Sequence, residues 1–500
     1  MVPDIVARTY LMEQTMVAQR NLRIAVIGAG ASGILAVIKL RAAGIDDVTV
    51  FEKASELGGT WRDNRYPGLT CDVPSHLYRY SFEPNPDWTH VCSPGPEILA
   101  YLKSVAAKHD VERSIRYGNE VTRAEFIKGR WHVDTVQGSQ GVFDVVLTAV
   151  GVLHHPVYPD IAGLDTFEGA SFHTSRWDHS VALEGKRVGI IGTGSTATQI
   201  VGGIIDEVAK LTLFQRTAQW IMPVPNPAYS DEQKAAFRED AGLMEAEYAR
   251  LAVEFNSKFA AAVVGANPAH YEVMSQLCQD NLRDSVADPE LRAKLTPNYK
   301  VGCKRLIMSD QFYSAIQRPH AELVTDGISR IEATGIRTVD GRLHELDVLV
   351  FATGFDTHRF VRPMNVIGRD GRRLDDAWAH ANEGYLGITI PGFPNWFMLG
   401  GPNSPIGNFS WLMTSENQLN YAMNLIDYLR SGNVTEIAPK PSAVRAFNDA
   451  VKAKMPDTIW ATGCNSWYID KNGNVASWPW TYEKFQDDMR EPIIDDFEIA

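Results

Sequence analysis

Two segments of the chain repeat one hydrophobic pattern, with their first turn glycines, Gly28 and Gly192, 164 positions apart. Each is a continuous apolar run of strand length, then a glycine turn, then apolar residues at helical spacing. The first reads RIAVIGAGASGILAVIKLRAAG from Arg23 and is followed by VTVFEK; the second reads RVGIIGTGSTATQIVGGII from Arg187 and is followed by LTLFQRT. Unbroken apolar strands suit a parallel sheet covered by helices on both faces, so each segment predicts a β-α-β unit. Between them, residues 110–160 read as short strands (RWHVDTV, FDVVLTAVG). Residues 228–295 turn charged and helical (SDEQKAAFREDAGLMEAEYARLAVEF). A third apolar strand, LDVLVFATGF (346–355), precedes a loop-rich, tryptophan-rich remainder containing GPNSP, GCNSWYIDKNG and WPW. The expected fold class is α/β, with two Rossmann-like dinucleotide-binding domains and a helical insertion. The boundaries expected are an N-terminal extension at 1–21, a first domain from 22–155 and 356–500, a second from 156–227 and 300–355, and the insertion at 228–299.

Composition narrows the partners. The 500 residues are 45% hydrophobic, enough for a large core and more than one domain. The net charge of 48 − 61 = −13, without clustered Lys and Arg, argues against nucleic acid and in favour of small-molecule ligands. The cysteines, Cys71, Cys92, Cys278, Cys303 and Cys464, form no CxxC pair, so neither a zinc site nor a redox dithiol is expected, and a cytoplasmic, reducing location fits. No apolar run reaches the roughly 18 residues that span a bilayer, so no membrane association is expected. Residues 1–22 lack the charged-then-apolar order of a signal peptide and read as a loosely ordered extension.

The glycine turns carry the first chemistry. In GAGASG, Gly28 and Gly30 let the backbone approach a pyrophosphate, Gly33 lets the helix pack closely on the strand, and the helix N-terminus faces the anion. Glu52 ends the next strand, where a carboxylate accepts ribose hydroxyls. The second copy, GTGSTA, has Ala197 at the third glycine position, which the fingerprint permits. Glu52 lies 24 positions after Gly28, and Arg216 lies 24 positions after Gly192, so the same place carries opposite charge. An acid there repels a 2′-phosphate, whereas an arginine binds it through charge-assisted hydrogen bonds. The first site is therefore expected to hold an unphosphorylated dinucleotide and the second NADPH. Because a hydride from NADPH needs an acceptor, the first nucleotide is expected to be FAD. A flavin disulfide reductase would need a nearby CxxC or CxxxxC pair, which the chain lacks.

Two further motifs carry a family resemblance. GGTWRDNRYPGLTCD (58–72), through Gly59, Trp61, Tyr66, Pro67, Gly68 and Asp72, is similar to the GxWxxxx[FY]PGxxxD motif of type I Baeyer–Villiger monooxygenases. FEGASFHTSRWD (167–178) is similar to their FxGxxxHxxxW[PD] signature through Phe167, Gly169, His173, Trp177 and Asp178. The resemblance continues through DPELRAKLTPNYKVGCKR (288–305), FATGF and GCNSWY; the CNSWY and WPW ending looks most like the hydroxyacetophenone monooxygenase branch. Related flavin-containing monooxygenases share the glycine motifs, but usually lack the Trp-Pro/Asp ending and a pair matching Lys304–Arg305.

The resemblance implies an NADPH- and O2-dependent flavoenzyme. In it, reduced FAD adds O2 to give a C4a-peroxyflavin that converts ketones to esters or lactones. Arg305 would supply the permanent cation that favours the anionic oxidant and the adduct, and Asp72 would hold its guanidinium. Lys304, with Arg216 and Thr217, would reach the ribose or 2′-phosphate of NADP. Trp61 and Tyr78 would line the flavin site, and Trp467 would close over the nicotinamide. Cofactor-binding positions expected around the first motif are Gly28, Gly30, Ala31, Ser32, Gly33, Glu52, Lys53, Gly59, Thr60, Trp61, Asp72, Tyr78 and Val121. Around the second they are Gly192, Thr193, Gly194, Ser195, Thr196, Gln199, Arg216 and Thr217, together with Lys304 and Trp467. His173 is not expected to be a base; the resemblance places it where the two domains join, coupling NADPH binding to domain position. Residues 149–151 read AVG where relatives have ATG, so a threonine hydroxyl near the FAD linkage is missing. The expected substrate is a small ketone; the alternative is heteroatom oxygenation, at the sulfur of a sulfide or at nitrogen, by the same flavin. An NADPH oxidase or reductase, or a nucleotide-binding sensor, are the readings from other classes. The segment NFSWLM (408–413) is expected to form a pocket wall.

Overall fold

The computed structural model describes residues 20–470 and 472–500. The N-terminal extension expected at 1–21 therefore falls almost wholly outside the described residues. Two five-stranded, all-parallel sheets organise the chain. The first runs, in spatial order, Trp396–Met398, Val145–Thr148, Ile24–Ile27, Val48–Phe51 and Ile115–Arg116. The second runs Ala321–Val324, Lys210–Phe214, Arg187–Ile191, Val348–Phe351 and Ala170–His173.

In both sheets the inner strands are buried, apart from the first residues Arg187 and Lys210 of two strands in the second, which is why their sequences are largely apolar runs rather than alternating ones. Helix Ala31–Ala42 packs between the first sheet and the long helix Trp411–Arg430, while helix Ser195–Ile204 covers the second sheet. Each fully buried Val, Leu or Ile in these layers contributes about 1.5–3 kcal/mol, so the strand-to-helix turns at their edges are held by the best-packed parts of the molecule.

An antiparallel sheet of Val121–Ile127, Arg130–Thr135 and Gly138–Phe143, extended by Asn365–Ile367, flanks the first unit. A three-stranded sheet of Ile328–Glu332, Gly335–Thr338 and Leu343–Glu345 flanks the second. The segment after the second unit is helical: Asp231–Glu239, begun by a Ser230/Gln233 capping box, then Ala241–Ala252, a π-helical stretch Val253–Ala260, Pro268–Ser285 and Pro289–Leu295. The α/β class with two parallel sheets and a helical insertion matches the hydrophobic pattern. Among the described residues no helix is long and apolar enough to cross a membrane.

Candidate active site

One cavity of about 1370 Å3 opens between the two sheets. It receives the turns at the C-terminal ends of the strands of both, the place where parallel α/β sheets bind ligands. Every cofactor-binding position expected from the sequence lines it except Gly33. Gly33 instead lies against the strand turn, where a Cβ would sit 1.9 Å from the Gly28 carbonyl oxygen. Its role is helix packing, and it does not face the cavity.

The two glycine turns are built alike. Gly28 and Gly192 have φ of +103° and +113°, and an added Cβ would lie 2.6 Å from Ala149 O and 2.3 Å from Ala352 O. Only glycine fits such a position without strain. Helices Ala31–Ala42 and Ser195–Ile204 begin at Gly30 and Gly194, neither of which caps the helix with a side chain. Their first-turn N–H groups therefore face the cavity as ready anion donors. The pyrophosphate reading of both motifs is compatible with this geometry.

Glu52 is more constrained than the sequence suggests. Its Oε2 accepts from Ala29 N at 2.8 Å, and its Oε1 accepts from Ala54 N at 2.9 Å and from Arg62 at 3.1 Å. It braces the turn while lining the cavity. In the second copy, Arg216 is exposed on the cavity rim with Lys304 nearby, and no carboxylate pairs with either among the described residues. Burial and the charge of Arg216 hold the Lys304 pKa below its usual value. Two unneutralised cations side by side make a site that an anion would relieve.

The two units meet through the first signature. Tyr66 Oη donates to Gln199 Oε1 at 3.0 Å, and Gln199 Nε2 donates to Thr70 O at 3.0 Å, joining residues 66–70 to the helix of the second glycine motif. Gly68, at φ +78°, lets that turn touch the helix: a Cβ would stand 2.4 Å from Gln199 O. Beyond this seam Trp61 Nε1 donates to Tyr78 Oη at 3.2 Å, with the rings edge-to-face at 5.6 Å.

The seam leads to the charge centre. Arg305 Nη2 donates to Asp72 Oδ2 at 2.5 Å, although 233 positions separate them. The Arg305 side chain is 31% exposed, into the cavity. Burial works against its charge, but the Asp72 carboxylate and the Tyr468 hydroxyl more than offset this and raise its pKa. Arg305 is thus a permanent cation held by Asp72, with Tyr468 close by. Gly407 makes room for it, since a Cβ there would lie 2.6 Å from Tyr468 Oη and 2.8 Å from Arg305 Nη1. Phe409 and Trp411 line the cavity beside it, as expected of the 408–413 segment.

His173 does not reach the cavity. It is fully buried, its Nδ1 accepts from Ser175 N at 3.2 Å, and its Nε2 donates to Gly354 O at 3.1 Å. Burial lowers its pKa to about 4, so the ring is neutral. It anchors the end of strand Ala170–His173 to Gly354, which does line the cavity. Trp177 packs edge-on against Phe172 at 4.9 Å, and Asp178 is an exposed residue bonded to Ser180.

The fold also makes a cysteine pair that the sequence reading did not mark. Cys303 and Cys464 are joined in a disulfide across 161 positions, leaving Cys71, Cys92 and Cys278 free. Spacing rules look for cysteines close in sequence and cannot detect a pair made by the fold. Neither sulfur lines the cavity, although the adjoining Lys304, Arg305, Asn465, Ser466 and Trp467 do, so the pair does not revive a disulfide reductase. Sequence reading also missed Gly407, Tyr468 and the paired cavity-lining histidines His154 and His155. The one available signal was that GCKR and GCNSWY each place a cysteine just before residues expected at the site.

Comparison with known proteins agrees with this geometry. A family model described as flavin-binding monooxygenase-like matches residues 21–229. An uncharacterised monooxygenase of Mycobacterium tuberculosis is 48% identical over 462 residues, 92% of each chain. A Baeyer–Villiger monooxygenase of Streptomyces coelicolor is 41% identical over 488 residues, 96% of this chain and 93% of its own. The crystal structure of cyclohexanone monooxygenase from Rhodococcus sp. Phi1 bound to NADP+ superposes with a TM-score of 0.85 at 33% identity, covering 96% of this chain and 99% of that one.

Proposed function

This chain belongs to the Baeyer–Villiger monooxygenases, and on that premise we propose that it uses FAD, NADPH and O2 to insert one oxygen atom beside the carbonyl of a small ketone, giving an ester or lactone. The single observation that carries the reading is the Arg305–Asp72 pair in the cavity shared by both uncapped glycine-turn helices. We assign residues 22–155 with 356–500 to the FAD-binding domain, residues 156–227 with 300–355 to the NADP-binding domain, and 228–299 to the insertion. The two parallel sheets support that division.

The residues fit both nucleotides. The Gly28–Gly33 turn and its uncapped helix would hold the FAD pyrophosphate, with Trp61 and Tyr78 beside the flavin. Gly192–Thr196 would hold the NADPH pyrophosphate, and Arg216 with Lys304 its 2′-phosphate. FAD supplies the redox and oxygen chemistry when bound. Arg305 stabilises the negative charge that develops on the ketone oxygen, and as an arginine it does so without giving up a proton at working pH. Asp72 fixes its direction. Trp467, on the cavity wall, would limit the entry of water once both nucleotides are bound, which oxygen chemistry at the flavin requires. The dependence on NADPH supports a cytoplasmic site of action.

The test is anaerobic reduction by NADPH followed by mixing with O2 and a panel of ketones. Arg305→Ala is expected to reduce its flavin at the normal rate and form no ester. A normal ester yield from that variant would remove the assignment.

A further inference from the structure

We propose that the Cys303–Cys464 disulfide and Tyr468 are positioning residues that lock the Trp467 loop onto the Arg305 loop, so that the cation and the nicotinamide cover are set as one unit. The proposal rests on the function assigned to Arg305 and Trp467 above.

Neither loop is placed by regular secondary structure. Residues 301–306 and 462–468 form turns and bends between elements. Trp467 O receives bonds from His358 Nε2 at 3.0 Å and Thr357 Oγ1 at 3.3 Å, and Tyr468 O accepts from Ala476 N at 2.8 Å. Those bonds tie the loop to its own side of the cavity. The covalent bond to the other side is the disulfide. Cys303 stands two residues before Arg305, and Cys464 stands three before Trp467 and four before Tyr468.

A second, non-covalent bridge runs parallel to it. Tyr468 is buried, its ring stacks on Trp467 at 4.6 Å and lies 5.1 Å from Trp460, and its hydroxyl faces the same point beside Gly407 as Arg305 Nη1. Both sulfurs lie in an apolar cluster with Val301, Leu306, Met274, Cys278, Trp460 and Tyr468, shielded from solvent. With the pair closed, Arg305 is held by Asp72 from the first signature and has Tyr468 of the tethered loop packed close to it. With it open, the Asp72 grip persists while the Trp467 cover can swing without moving Arg305.

The experiment uses the FAD-loaded enzyme purified without reductant. Alkylation under denaturing conditions should label three cysteines, and five after dithiothreitol has given the disulfide two electrons and two protons and been oxidised to its own cyclic disulfide. NADP+ release, followed by stopped flow, should be at least about tenfold faster in Cys303→Ser, in Cys464→Ser and in dithiothreitol-treated wild type, with no further increase in the double variant. The rate of anaerobic flavin reduction at saturating NADPH should stay within about twofold, while the share of NADPH lost as hydrogen peroxide rises. Tyr468→Phe should raise that share without changing the cysteine count. Cys278→Ser, in the same cluster but outside the bond, should leave NADP+ release as it is.

Five labelled cysteines before reduction, unchanged NADP+ release on opening the bond, or the same acceleration from Cys278→Ser would each overturn the proposal. Neither the cysteine count nor NADP+ release needs ketone turnover. An enzyme that oxygenated no ketone but still showed both changes would refute the proposed function and leave the tether between the two loops standing.

Discussion

Replacing Arg216 by Gln removes one of two cations on the cavity rim while keeping a side chain of similar length. Arg216 pairs with no carboxylate among the described residues, so its loss frees no buried acid and leaves little to repair. The effect therefore falls on whatever anion the cation holds. A hydrogen bond to a charged group is worth about 1.5–3 kcal/mol net, and at about 2 kcal/mol the loss in NADPH affinity is about 30-fold. Because Arg216 is exposed, screening sets the lower bound: Coulomb attraction alone in bulk water, about 1 kcal/mol, still gives about fivefold. NADH lacks the 2′-phosphate, so its affinity should change by less than twofold. Lys304 partly compensates, since removing the neighbouring charge lets its pKa rise toward the ordinary value. Lys304→Gln in the Arg216→Gln background should then cost more than in the native chain. The assay is stopped-flow flavin reduction under anaerobic conditions, titrating each coenzyme. An unchanged NADPH-to-NADH ratio in Arg216→Gln would refute the reasoning from opposite charges at equivalent positions.

Three other outcomes are expected. Gly407→Ala places a methyl group 2.8 Å from Arg305 Nη1 and 2.6 Å from Tyr468 Oη, and should lower ester formation by about 100-fold with the NADPH KM unchanged, because small displacements of a catalytic group are costly; steady-state kinetics would show a KM effect instead if the residue served only nucleotide binding. Burial lowers the folded pKa of His173 to about 4, so between an unfolded value near 6.5 and about 4 the unfolded chain binds more protons. The neutral ring thus contributes stability that is present above pH 6.5 and lost as pH falls through that window, up to about 3 kcal/mol. His76 and His154, lowered to about 4 and about 3, act in the same direction. Thermal melts from pH 7 to 5 should show a steep loss that is shallower in His173→Gln, and parallel slopes would count against the assignment. Val150→Thr places a hydroxyl beside the cavity, as Thr353 does in this chain's second unit, and should slow FAD loss on dilution by about two- to fivefold, on the scale of one neutral hydrogen bond; flavin fluorescence after gel filtration would read it.

The parts of this molecule that were legible in the sequence are those whose cause is local. A doubly covered parallel strand must be apolar throughout, and a strand-to-helix turn at φ near +100° must be glycine, so both glycine-turn units announced themselves at Gly28 and Gly192. The Arg305–Asp72 pair, 233 positions apart, came only from family resemblance, and its distance confirms that the fold brings the two together. What stayed hidden was set by tertiary contact. Gly407 looks like any loop glycine until Arg305 and Tyr468 are seen against it, and two isolated cysteines become a bond only when their loops meet. Glu52 shows a subtler limit. The motif marks it as a ligand-facing acid, whereas the structure gives it structural work on Ala29, Ala54 and Arg62 as well.

The seam at Gly68 also bears on how such enzymes can be recombined. The turn at 66–70 belongs by sequence to one nucleotide unit but is shaped against a helix of the other, down to a backbone contact that tolerates no side chain at Gly68. Domain exchange between relatives that cuts only at the chain crossovers would separate this turn from the helix surface it was fitted to. A working chimera has to carry residues 66–70 together with helix Ser195–Ile204 as one inherited block, so the unit of modularity in this chain is the interface and not the domain.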